Sequence, residues 1–79
     1  MTTAVVTIRA EWDDEAGVWV IASPDVPGLN LEAATHAEIA GRALAALEDL
    51  ADYSPEVARL VGRPLEIVTT QRLDRRAVA

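Results

Sequence analysis

The acids are the residues of this chain whose type and spacing could support chemistry. Glu11, Asp13, Asp14 and Glu15 all fall within residues 11–15. Such a group could hold a cation, or serve a carboxylate nuclease if its members converged on one sheet face. The spacing suits neither task. A calcium loop places oxygen ligands at alternating positions in a longer frame closed by a bidentate acid. Here the acids crowd into a short connection that ends at Gly17, the pattern of a solvated turn.

His36 is the single histidine, two residues before Glu38, and there is no cysteine. Two-histidine and thiolate metal sites are therefore excluded, and no serine–histidine–aspartate triad is expected. No glycine-rich phosphate loop is present. The expectation is a protein that is not an enzyme, with no catalytic residue, no cofactor and no metal. Arg72, Arg75 and Arg76 gather near the end of the chain. Against a formal net charge of −6, three arginines read as a solvated tail, with weak RNA binding through them a distant alternative. The acidic balance suits solubility, or a basic protein partner.

The elements that position these residues are written in alternation and punctuation. Ala4 to Trp12 reads as a first strand, with Val6, Ile8, Ala10 and Trp12 on one face and Val5, Thr7, Arg9 and Glu11 on the other. Asp13 to Gly17 links it as a hairpin to a second strand, Val18 to Ser23. Pro24 and Pro27 then interrupt the ladder, and Gly28 supplies the positive φ that a turn after Pro27 requires. Leu29 to Ala33 alternates again as a third strand.

Thr35 with Glu38 three residues later has the form of a capping box, so a helix is expected from His36. Ile39, Ala40, Ala43, Leu44, Leu47, Leu50 and Ala51 line one helical face. Gly41 inside this helix suggests a close approach to the sheet. Ser54-Pro55-Glu56 restarts a short second helix, which Gly62 ends and Pro64 keeps from continuing. Leu65 to Leu73 alternates as a fourth strand.

The expected fold is α+β: a three-stranded antiparallel meander with a helix packed on one face, a short second helix, and the fourth strand returning to the sheet edge. It forms a single domain over residues 1–73, followed by a polar tail over 74–79. At 79 residues and 51% apolar composition the chain is globular but its core is small. Self-association into a homodimer or higher oligomer, with exposed strand edges as one route, would supplement it. No apolar run is long enough to span a bilayer, and the first residues lack a signal-type core. No membrane contact is expected, and the cytoplasm is the expected location.

Trp12-Asp13, Glu15-Ala16, Val18-Trp19-Val20, Ser23, Asp25-Val26-Pro27-Gly28-Leu29, Glu32-Ala33 and Thr35 carry a resemblance. In order and spacing they resemble the HicB-like antitoxin superfamily, most nearly a short stand-alone subfamily catalogued as a domain of unknown function. The resemblance implies a partial RNase H-like fold, β-β-β-α-β, without the catalytic carboxylates of the true enzymes. It also implies a role in neutralising a HicA-type toxin, a small basic RNA-cleaving protein, by covering its active surface. Many such proteins carry a C-terminal DNA-binding domain. The six residues after Leu73 leave no room for one, so the expectation is protein contact without DNA binding.

The candidate partner contacts are Glu11, Asp13, Asp14 and Glu15 with the turn Asp25, Val26, Pro27 and Gly28. For the turn, a purely conformational role stands beside the contact role. Trp12 and Trp19 are expected in the core or in a dimer interface. An alternative function is an orphan structural or regulatory oligomer with no toxin partner.

Overall fold

The computed structural model describes residues 5–73. Ala4, at the expected start of the first strand, and the 74–79 tail with Arg75 and Arg76 lie outside the described residues. The described chain runs β1 (Val6–Asp13), β2 (Val18–Ala22), β3 (Asn30–Ala33), a 3-10 turn (His36–Glu38), α1 (Ile39–Ala51), α2 (Pro55–Ala58) and β4 (Leu65–Thr70). The strands form one four-stranded sheet in the order β3-β2-β1-β4. β1, β2 and β3 make the antiparallel meander, and β4 lies parallel to β1 at the edge. This is the expected α+β architecture.

The alternation in β1 sets the layers. Val6, Ile8 and Ala10 are buried, and Trp19, Ile21 and Ala33 extend the same apolar face across β2 and β3. Ile39, Ala43 and Leu47 of α1 close it from above, with Ala46, Leu50 and Ala51 partly buried beside them. Burying side chains such as Ile8, Ile21, Ile39 and Leu47 stabilises the fold by about 1.5–3 kcal/mol each. The buried stripe therefore runs through Ala46 and not through Ala40 and Leu44. Ala40 is exposed, and Leu44 is 47% exposed. Alanines occur all round this helix, so apolar spacing alone does not fix its rotation.

Two other local expectations change. Thr35 does not cap the following amides: its hydroxyl donates to Glu38 Oε1 at 2.9 Å, and the Glu38 N–H donates to the Thr35 carbonyl at 3.2 Å. The chain consequently makes a 3-10 turn first and enters the α-helix at Ile39. Gly41 faces open space, because a Cβ built there meets nothing within 4 Å. It is not a point of close approach.

The second helix starts where its punctuation predicts but ends at Ala58, before Gly62. Ser54 Oγ accepts the Val57 N–H at 3.4 Å, Pro55 opens the helix, and Val57 is fully buried.

Candidate functional site

The first hairpin gathers the acids at one end of the sheet. Asp13 is paired with Val18, and the Gly17 N–H donates to the Asp13 carbonyl at 2.8 Å to close the turn. Gly17 holds φ 68°, a left-handed conformation open to glycine at no steric cost. Glu11, Trp12, Asp13, Asp14, Glu15 and Val20 line a cleft of about 370 Å³ at this end.

The four acids do not play equal parts. Asp13 Oδ1 accepts the Glu15 N–H at 3.0 Å and the Ala16 N–H at 3.2 Å, so this carboxylate holds the turn. Asp14 Oδ1 accepts from Trp12 Nε1 at 2.6 Å and fixes the indole. Among the described residues no hydrogen bond engages the side chains of Glu11 or Glu15, both of which are exposed. They are the hairpin carboxylates that the fold itself does not engage.

The charge along the first hairpin is mostly negative, with Arg9 on the same face of β1 as Glu11. No lysine occurs in the chain, and no arginine lies between Arg9 and Arg42, while Asp25, Glu32 and Glu38 add to the hairpin acids in that span. The Glu38–Arg42 pair, 3.4 Å apart on the helix, is solvent-exposed and of little energetic weight.

Behind the cleft stands an aromatic row. The Trp12 and Trp19 ring centroids are 5.4 Å apart and tilted at 60°. His36 meets Trp19 edge-on at 5.3 Å and 80°. Both contacts lie in the favourable range for aromatic pairs. Trp19 is 7% exposed and belongs to the core, while Trp12 is half-buried against it. The exposed imidazole of His36 is thereby seated on a tryptophan.

The second set of candidates, Asp25 to Gly28, lies elsewhere and is largely structural. Val26 is buried in the core, so its side chain is not available to a partner. The Leu29 N–H donates to the Val26 carbonyl at 3.2 Å around Pro27 and Gly28, and Gly28 holds φ 85°. That is the type II pattern, proline first and glycine second. Its flanks, Val26 and Leu29, both enter the core. Pro27 and Gly28 themselves are exposed.

Asp25 is engaged with β1. Continuing the β1–β2 register would set Thr7 opposite Pro24, which has no N–H to offer. Asp25 Oδ2 accepts the Thr7 N–H at 2.8 Å, and Ser23 Oγ donates to the Thr7 carbonyl. The Asp25 N–H donates in turn to Ser23 Oγ at 3.1 Å. Sequence reasoning does not single out Ser23 as a site residue. Its signal is visible only once the register is known: a ladder position opposite a proline, flanked by two short polar side chains.

Among the described residues no group of three or more His, Cys, Asp or Glu side chains is placed to hold a metal ion. No buried polar or charged residue occurs among them either. No helix of the described chain is long and apolar enough to cross a membrane.

No curated protein matches the sequence. Among solved structures, the fold is similar to that of hypothetical protein TTHA1013 from the extremely thermophilic bacterium Thermus thermophilus. The TM-score is 0.66 and the identity 35%, over 90% of this chain and 96% of that one. The family description "Domain of unknown function (DUF1902)" matches residues 5–78, nearly the whole chain, and the protein belongs to that family.

Proposed function

We propose that this protein is a non-catalytic, HicB-like antitoxin that acts in the cytoplasm by binding and neutralising a small basic RNA-cleaving toxin of HicA type. The observation that carries this reading is the first hairpin. Glu11 and Glu15 project unengaged carboxylates beside a cleft, on a span of chain without a single arginine or lysine. An excess of negative charge of this kind speeds encounter with a cationic protein and disfavours an anionic one. The β-β-β-α-β order and the sequence resemblance set out above support the same assignment. Asp13 and Asp14 shape the hairpin, and Glu11 and Glu15 make the charged contacts.

The test is a growth assay on the small reading frame beside the gene, expressed alone and then with this protein. Toxicity relieved by co-expression, with the two proteins purifying as a complex, is the expected result. A harmless neighbour that does not co-purify would overturn the reading.

A further inference from the structure

β4 is an edge strand whose outer side no described element covers. Its hydrogen-bonded neighbour is β1, with Val6 aligned to Leu65, Ile8 to Ile67 and Arg9 to Val68. The Val6 N–H donates to the Pro64 carbonyl at 2.9 Å, which fixes the alternation. In this parallel ladder the even-numbered residues of β4 turn their backbone groups toward β1. The N–H and C=O groups of Leu65, Ile67 and Thr69 therefore point to the open edge.

Natural edge strands are ordinarily blunted by lysine, proline, a bulge or a covering element. From Leu65 to Thr70 there is no proline and no basic residue, and Glu66 is the one charge. Apolar side chains are exposed on both faces. Ile67 shares the face of fully buried Ile8 yet is 36% exposed, because α1 packs over β2 and β3. Val68, on the opposite face, is 41% exposed. The other edge, β3, is shorter at four residues and carries Asn30 and Glu32.

We infer that β4 pairs antiparallel with β4 of a second copy of this chain, with Val68 at the two-fold axis. The outward groups belong to odd-numbered residues, so odd must exchange hydrogen bonds with odd. Both copies then present the same face, and their α1 helices lie on one side of a continuous sheet. Strand extent and side-chain matching select the register. Centred on Val68, Ile67 opposes the partner's Thr69, Glu66 opposes the partner's Thr70, and the partner's Arg72 falls diagonal to Glu66. Centring on Ile67 would carry Arg72 past the partner's strand. Centring on Thr69 would oppose Glu66 directly to the partner's Arg72, but it would set Ile67 against the partner's Gln71 and Val68 against the partner's Thr70 and would rely on residues past the end of β4 at Thr70. The Val68 register pairs Val68 with itself inside β4 and keeps Glu66 opposite a polar residue. This pairing holds whether or not a toxin is bound.

Sedimentation of the full chain over a concentration series tests the pairing. The native protein is expected to be a dimer. Val68→Lys places like charges face to face across the axis, and Thr69→Pro removes an outward N–H while sparing the ladder to β1. Both are expected to sediment as monomers with unchanged circular dichroism. The chain has no native cysteine, so Val68→Cys provides an independent measurement. The two Val68 positions form a non-hydrogen-bonded pair, whose Cβ atoms approach to about 5 Å. Oxidised Val68→Cys is expected to cross-link, and Ile67→Cys is not. A native monomer at every concentration would overturn the inference. So would a dimer that survives Val68→Lys and Thr69→Pro and does not cross-link through Val68→Cys. Should either charge or proline variant fail to fold, the cysteine pair decides.

Discussion

Asp25 Oδ2 accepts the backbone N–H of Thr7 at 2.8 Å, across a separation of 18 residues. With Ser23 Oγ on the Thr7 carbonyl, it restores the ladder where Pro24 interrupts it. Two polar side chains thus allow a proline to follow a central strand directly, and that proline starts the turn which carries Val26 and Leu29 into the core.

Removing that acceptor leaves a half-buried amide without its partner. Asp25→Ala is expected to lower the unfolding free energy by about 1–2 kcal/mol, and Asp25→Asn, which keeps an acceptor oxygen, by less. Ser23→Ala should have an effect similar to that of Asp25→Ala. Urea unfolding followed by tryptophan emission gives the values. A midpoint unchanged in Asp25→Ala would show that water replaces the carboxylate at no cost.

The rotation of α1 is tested by two leucines on different faces. Leu47 is buried, and Leu47→Ala is expected to cost about 2–5 kcal/mol through lost contacts and the cavity left behind. Leu44→Ala should stay within about 0.5 kcal/mol, as at other exposed sites. Equal losses at the two positions would mean that the helix presents a different face to the sheet.

The glycines separate in the same way. Gly41 is helical with open space around it, so Gly41→Ala is expected to raise stability by about 0.5–1 kcal/mol. Gly28 sits at φ 85°, and Gly28→Ala is expected to lower stability by about 1–2 kcal/mol. Thermal unfolding of the two variants should shift in opposite directions. A lower melting temperature for Gly41→Ala would contradict the open environment.

What could be read from the sequence depended on whether a signal was local. The buried face of β1, the Pro27-Gly28 turn and the Ser54-Pro55 cap each rest on residues within a few positions, and each takes the expected form. The helix face did not follow, because Ala40, Ala43, Ala45 and Ala46 surround the leucines and leave two rotations of similar apolarity. Thr35 and Glu38 have the spacing of a capping box, but side chain bonds to side chain, and a 3-10 turn replaces the first helical turn. The roles of Ser23 and Asp25 depend on register across 16 and 18 residues, which no local pattern encodes. In the hairpin, composition marked all four acids alike, and only geometry separates the two that build the turn from the two that remain free of it.

That separation yields the prediction on which the binding surface stands. Glu11→Gln combined with Glu15→Gln should leave stability within about 0.5 kcal/mol, since neither carboxylate supports the fold. Asp13→Ala should cost about 1 kcal/mol by freeing the Glu15 and Ala16 amides. Binding to the basic toxin proposed as the partner should respond in the reverse order. The double glutamine variant is expected to bind about tenfold more weakly and with a flatter dependence on salt, because it removes charges that steer encounter and face the partner. Titration calorimetry at two ionic strengths, beside urea unfolding of the same variants, measures both quantities. Native-like affinity and salt dependence in the glutamine variant would exclude the first hairpin as the docking surface, while leaving its structural account of Asp13 in place.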